Sequence, residues 1–246
     1  MTATRAKLGL VRPEHKILWA ARGGSESPAN VALLRRFFVQ YANTHHRTFS
    51  WRRVDTTAYE LMVAELLLVQ TKAEDVAGVL PKVLARYPSA EKLARAQSRS
   101  LVQILRPLGL QNQRTRALRG VARALVERFE GQLPPSIHEL LSLPHVGLYV
   151  GCAVACFSYG QRVPIVDANV LRVFSRIYGI KTGRELRRSP HVWKIAWRIL
   201  PKRNYALHNY GVLDFAAEIC KPRSPQCQIC GLNRICAYAK MKKEER

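Results

Sequence analysis

Acidic residues are scarce in this chain. Its 246 residues hold 17 Asp and Glu against 40 Lys and Arg, a formal net charge of +23. Self-repulsion from such an excess works against folding, so the composition implies a polyanionic partner. Long apolar runs are also missing. The longest, Leu148 to Phe157, is far short of the roughly 20 residues that cross a bilayer. Met1 to Ala20 lacks an apolar secretory core and a cleavage signature. No repeat, no low-complexity tract and no convincing alternating strand pair appears. These absences exclude most secreted and transmembrane readings and leave a cytoplasmic or nucleoid-associated nucleic-acid protein, with no membrane partner, as the expectation. With 48% hydrophobic and 23% charged residues, the chain has a globular composition, enough for one large domain or two small ones.

What is present reads as helix after helix. Leu34, Phe37, Phe38 and Tyr41 recur at helical spacing. Leu61 to Val69 is nearly all apolar, as in a buried helix. Val76, Val79, Leu80, Val83, Leu84 and Tyr87 follow and end at Pro88. Leu101, Ile104, Leu105 and Leu108 stop at Gly109, and Leu118, Val121, Leu125 and Phe129 stop at Gly131. Ser136 and Glu139 have capping-box spacing before Leu140 and Leu141. Trp193, Ala196, Trp197 and Leu200 form one more apolar face. The fold class predicted is all-α, with about ten helices. Residues 1–27, carrying Arg5, Lys7, Arg12, Lys16 and Arg22, read as a basic arm or simply as a loosely held terminus.

Four of the six cysteines, Cys220, Cys227, Cys230 and Cys236, fall within 17 residues as C-x6-C-x2-C-x5-C. A basic chain without a signal peptide argues against disulfides. Four-cysteine zinc sites usually show two close pairs, whereas here one C-x2-C pair has a single cysteine on either side. Thiolates wrapped this tightly suit a [4Fe–4S] cluster, with zinc as the alternative. Cys152 and Cys156, in an apolar run, read as small core residues.

Residues 140 to 151 read LLSLPHVGLYVG. A short helix ends near Leu143, Pro144 to Gly147 turn, and a second helix begins. Such a hairpin aims backbone N–H groups at one point and holds a phosphate without reading a base. Its contact set is His145, Val146 and Gly147. With this hairpin, Asp167 in VDANVLRV, the cysteine pattern, FSWR (49–52), AELLLVQT (64–71), LGLQNQR (108–114) and HNYGVLDF (208–215), the chain resembles the iron–sulfur branch of the helix-hairpin-helix DNA glycosylase superfamily. That branch includes endonuclease III, the A/G-specific adenine glycosylases and the thymine–DNA mismatch glycosylases. The resemblance runs from about Leu33 to Cys236. It implies a two-lobed all-α fold: a six-helix barrel lobe over 51–161, and an iron–sulfur lobe formed by 28–50 and 162–246. It also implies a monomer acting on double-stranded DNA that holds a mispaired or damaged base, with that nucleotide flipped into a cleft between the lobes.

Site residues follow from the resemblance, position by position. Asp167 matches the catalytic carboxylate, whose charge stabilises the cation that grows on the sugar and activates water. N-capping of the following helix is its simpler role, and both can hold at once. Tyr149 stands where the strand-cleaving members carry a Lys. An amine forms a Schiff base with the sugar and a phenol does not, so base release without strand cleavage is expected. Glu65, in the apolar run, is a desolvated carboxylate suited to hydrogen-bonding or protonating the departing base. Asn169 matches a residue beside the sugar. Gln70 and Leu110 match positions that fill the gap left by the flipped nucleotide. Lys221 and Arg223 are placed to touch phosphate. His145 replaces a Gly usual in the hairpin, a position that often needs positive φ.

The adenine branch carries an additional C-terminal domain. This sequence ends ten residues after Cys236, so that domain is expected to be absent. VDANV and LDF also look closer to the mismatch enzymes. Thymine or uracil opposite guanine is therefore the favoured target, then adenine, then damaged pyrimidines. A DNA-binding scaffold without catalysis, and a lyase using another amine such as Lys72, are the rivals.

Overall fold

The computed structural model describes residues 28–180 and 190–244, so the expected basic arm over 1–27 lies outside the described residues. Those residues form twelve α-helices and two short 3-10 turns, with no strand among them. None of the helices is long and apolar enough to cross a membrane. The chain divides into two compact units.

The first unit is Thr48–Gln161. After α1 (Pro28–Thr44), which belongs to the second unit, it holds α2 (Ala58–Leu68), α3 (Ala73–Arg86), α4 (Ala90–Ala94), α5 (Ser98–Leu105), α6 (Gln111–Phe129), α7 (Ile137–Ser142) and α8 (Leu148–Phe157). The helix α2 is apolar on every side and buried from Leu61 to Leu67. Its start is fixed by a full capping box: the Thr57 hydroxyl accepts from the Glu60 N–H at 3.2 Å, and the Glu60 carboxylate accepts from the Thr57 N–H at 2.8 Å. At its far end α6 stops as the glycine signal predicts, through Glu130 (φ 52°) and Gly131 (φ 78°), with the Gly131 N–H bonded to Leu125 O at 3.0 Å. The capping box expected at Ser136 and Glu139 does not form. Ser136 is the N-cap of α7, but its hydroxyl accepts no helix amide. This six-residue helix is braced at its other end instead, where Ser142 Oγ donates to Glu139 O at 2.7 Å and accepts from Arg128 at 2.7 Å.

The second unit comprises residues 28–47 and 162–244. Its helices are α1 (Pro28–Thr44), α9 (Ala168–Tyr178), α10 (Pro190–Ile199), α11 (Tyr205–Glu218) and α12 (Ala237–Glu244). The predicted α1 stripe is real: Leu34, Phe38 and Tyr41 are buried. Phe37, Phe38 and Tyr41 meet Phe215 of α11 edge-on at 5.4–5.7 Å between ring centres. The two helices come so close that a Cβ added to Gly211 would sit 1.9 Å from Phe38 O. One turn away His208 is fully buried, edge-on to Phe38 at 5.5 Å. Burial pushes its pKa down to about 3, so it folds as a neutral ring.

The helix contact at Gly211 predicts a contrast. Gly211→Ala must separate α1 from α11 and should cost about 1–3 kcal/mol. Gly78, in α3, has open space where a Cβ would go. Gly78→Ala should stabilise by about 0.5–1 kcal/mol through helix propensity. Thermal unfolding of the two variants checks both signs.

Candidate functional site

Asp167 is placed from both sides. Before it, the extended run from Val163 is pinned by the buried Asn209 of α11, which donates to Val163 O at 3.0 Å and accepts from the Ile165 N–H at 3.3 Å. After it, α9 begins. Asp167 is its N-cap, and Oδ1 accepts from the Asn169 and Val170 N–H groups at 2.8 and 2.7 Å. The other oxygen, Oδ2, accepts from the Asn169 side-chain amide at 2.7 Å. Asn169 Oδ1 in turn accepts from Arg172 Nη1 at 2.9 Å. The same guanidinium donates to Cys220 O and Ala216 O, both at 2.9 Å. The carboxylate is therefore fixed in rotamer, half-buried, and keeps acceptor capacity on Oδ2. That suits a group that must face developing positive charge without reorganising.

The four clustered cysteines line one pocket, together with Arg176, Phe215, Ile219 and Tyr238. Burial first, with the other three thiols adding to it, pushes the Cys230 thiol up to about 11. Cys236 is shifted the same way, burial first. Four sulfurs lining one pocket, two of them with raised pKa, make a donor set for a cationic centre, whose loading must release protons. Among the described residues no three His, Cys, Asp or Glu side chains converge tightly enough for one metal ion. Four thiols of this kind are the donor set of either a [4Fe–4S] cluster or a zinc ion.

Arg176, one helical turn after Arg172 on α9, ties this loop down. It donates to Lys221 O at 2.7 Å and Pro222 O at 2.8 Å, and its Nη1 lies 3.4 Å from Cys220 Sγ. Lys221 is half-buried and Arg223 exposed on the loop so held. Neither arginine was singled out in the sequence. The available signal was an i, i+4 pair of cations in an otherwise apolar helix, VLRVFSRI.

In the first unit, Glu65 is 3% exposed in the middle of α2. That helix packs against α8, whose first turn carries the half-buried Tyr149. The hairpin is formed by α7 and α8. Val146 is buried, Gly147 caps α8, and the Gly151 N–H reaches Gly147 O at 2.9 Å. His145 adopts φ 61°, the left-handed conformation that a Gly would supply, and its exposed ring lies over Gly120 of α6, where a Cβ would come within 3.1 Å. Gln70 (φ 58°) and Leu110 (φ 51°) are also left-handed and exposed at loop tips. Each such non-glycine residue costs about 1–2 kcal/mol. Trp51 is buried and stacked on Phe49 at 4.5 Å, a core position. Cys152 and Cys156 are buried in α8 as small apolar residues.

The loop geometry gives one expectation here. Arg176→Ala strips donors from two carbonyls of the Lys221–Arg223 loop, and should cost about 1–2 kcal/mol. The loss should register in thermal unfolding and as faster protease cutting confined to that loop.

The comparisons with known proteins agree with one another. Residues 63–196 match the family model described as HhH-GPD superfamily base excision DNA repair protein. The chain is 31% identical to the thymine/uracil-DNA glycosylase of Methanothermobacter thermautotrophicus, over 83% of this chain and 94% of that protein. It is 35% identical to the thymine-DNA glycosylase of Aeropyrum pernix, over 84% and 94%. It is 31% identical to an adenine DNA glycosylase of Mycobacterium tuberculosis, over 78% of this chain and 63% of that one. A solved thermostable thymine-DNA glycosylase superposes with a TM-score of 0.79 at 29% identity, over 86% of this chain and 97% of its own. Endonuclease III in a non-covalent DNA complex shares the fold, with a TM-score of 0.75 at 24% identity over 87% and 98%. The chain belongs to the HhH-GPD superfamily of base excision DNA repair proteins and is a DNA N-glycosylase.

Proposed function

We propose that this glycosylase removes thymine or uracil paired with guanine and leaves the sugar–phosphate backbone uncut. Two relatives named for thymine or thymine and uracil are matched over 94% of their length, against 63% of the adenine enzyme. The observation that carries the uncut backbone is Tyr149. The residue in the first turn of α8 is a phenol, which has no amine to attack the sugar.

The roles follow from local chemistry. Asp167, held by the α9 amides and by Asn169, faces the cation that forms as the glycosidic bond breaks, and orients water. Glu65, desolvated in α2, hydrogen-bonds the departing base and supplies its proton. The backbone N–H groups at Val146, Gly147 and the start of α8, beside His145, hold a phosphate. Gln70 and Leu110 occupy the gap left in the duplex. Lys221 and Arg223 contact phosphate on the loop between the first two cluster cysteines. Cys220, Cys227, Cys230 and Cys236 would hold a [4Fe–4S] cluster, which when bound supplies rigidity to that loop.

Labelled duplexes containing G:T, G:U, A:G, adenine opposite oxidised guanine, or thymine glycol test the target. Cutting at G:T and G:U, only after hot alkali and with no borohydride-trapped adduct, is expected. Cutting at adenine moves the enzyme to the other branch, and cutting without alkali overturns the role of Tyr149. Asp167→Asn keeps the N-cap, because Asn caps as well as Asp. Duplex affinity should persist while base release falls by at least about 100-fold. Unchanged release refutes the assignment of Asp167.

The cluster has its own check. Protein purified without oxygen should carry about four iron and four sulfide per chain. Cys227→Ser should lose the visible absorption that accompanies them. Stoichiometric zinc instead would refute the cluster.

A further inference from the structure

The Arg114 side chain donates four hydrogen bonds within the first unit, and nothing above uses it. It lies in the first turn of α6 and is 6% exposed. Its guanidinium reaches two loops that are distant in sequence. Nη1 donates to Leu67 O at 2.9 Å, and Nη2 donates to Val69 O at 3.2 Å and to the Thr71 hydroxyl. Nε donates to Gly109 O at 3.0 Å. The first loop closes as a turn, with the Thr71 N–H on Leu68 O at 3.1 Å and Gln70 at its left-handed corner. The second runs through Gly109 (φ 68°) into Leu110, the left-handed N-cap of α6. One planar fork thus takes the Leu67 and Val69 carbonyls before Gln70, the Thr71 hydroxyl after it, and the Gly109 carbonyl before Leu110.

The tips are unusual in a second way. Val69 and Leu110 are 44% and 52% exposed, large apolar side chains left in water beside Gln70. Residues in left-handed backbone persist only where their surroundings over-determine them. Here the same buried cation over-determines both. A lysine in its place offers a compact ammonium with no fork, and cannot satisfy both loops in this geometry.

We propose that Arg114 is a positioning residue that joins the Gln70 and Leu110 loops into one rigid two-pronged wedge, so that both prongs enter the gap in the duplex as a unit. The inference rests on the gap-filling roles proposed above. It assigns Arg114 no contact with DNA. The guanidinium is consumed by the protein's own carbonyls, and its effect is to remove the cost of ordering two separate loops at the moment of binding.

The test is a double-mutant cycle on binding, which needs no base release. The probes are a duplex holding a stable tetrahydrofuran abasic analogue opposite guanine and the same duplex intact. The quantity is the ratio of the two affinities. Gln70→Ala and Leu110→Ala alter only exposed tips, so both variants should fold. In the wild-type background each should lower the ratio about tenfold, and the double variant scarcely further, because losing one prong unseats the other. In an Arg114→Lys background the ratio should start about threefold lower, and the two further losses should be smaller and additive, ending at the ratio of the Gln70→Ala/Leu110→Ala variant. Affinity for the intact duplex should move less than threefold throughout. Additive losses in the wild-type background overturn the proposal, even if Arg114→Lys fails to fold. So does a folded Arg114→Lys protein with an unchanged ratio, or one in which both affinities fall together. A wild-type protein with no preference for the abasic duplex overturns the gap-filling reading itself, and the wedge with it.

Discussion

Carbonyl groups at helix ends set the terms for the rest of this structure. Each α-helix leaves up to four C=O groups without an internal partner. A fold built from many short helices accumulates such groups, and with no strand among the described residues there is no sheet to absorb them. Guanidinium groups take that place. Arg114 serves the end of α2, Arg162 serves Leu200 and Pro201 beyond α10, and Arg172 and Arg176 serve the end of α11 and the loop after it. A cation at a helix C-terminus is favoured by the dipole as well as by the hydrogen bonds. Lysine would not serve equally, because the arrangement needs a planar fork that reaches several carbonyls together.

This changes the meaning of the charge excess. Composition alone points every surplus cation at a polyanion. Four of the arginines instead hold the protein's own loops: Arg172 bonds Asn169 beside Asp167, and Arg172 and Arg176 together hold the Cys220–Pro222 loop. The same carboxylate that is assigned chemistry is also the cap of α9. Its geometry is set by two backbone amides and one side-chain amide before any substrate arrives. Preorganisation of this kind is inseparable from folding: the hydrogen bonds that start the helix are those that orient the acid.

The helices, the glycine stops at Gly109 and Gly131 and the hairpin were legible in the sequence, because each rests on a local rule of spacing or conformation. Asp167, the cysteine quartet and Tyr149 were legible as residue types at positions of a known pattern. The arginine braces were not, because a basic residue on a helix reads as solvated until its neighbours in space are known. The capping boxes show the limit of spacing rules from both sides. Ser136 and Glu139 have the spacing without the bond, while Thr57 and Glu60 have both and went unremarked. Gln70 and Leu110 carry no mark of their left-handed backbone, since that conformation is imposed by Arg114 from 44 and 4 residues away.

The order of the two units along the chain bears on how the protein is made. The second unit opens with α1 and is then interrupted by the whole of the first. The apolar stripe of α1, with Leu34, Phe38 and Tyr41, has its partner in α11, which begins at Tyr205. At a synthesis rate of about 5–20 residues per second, α1 leaves the ribosome roughly ten seconds or more before that partner exists. Through that interval the nascent chain carries α1 without its partner while the residues of the first unit are made behind it. The apolar face of α1 therefore stays without its native cover until α11 has been made.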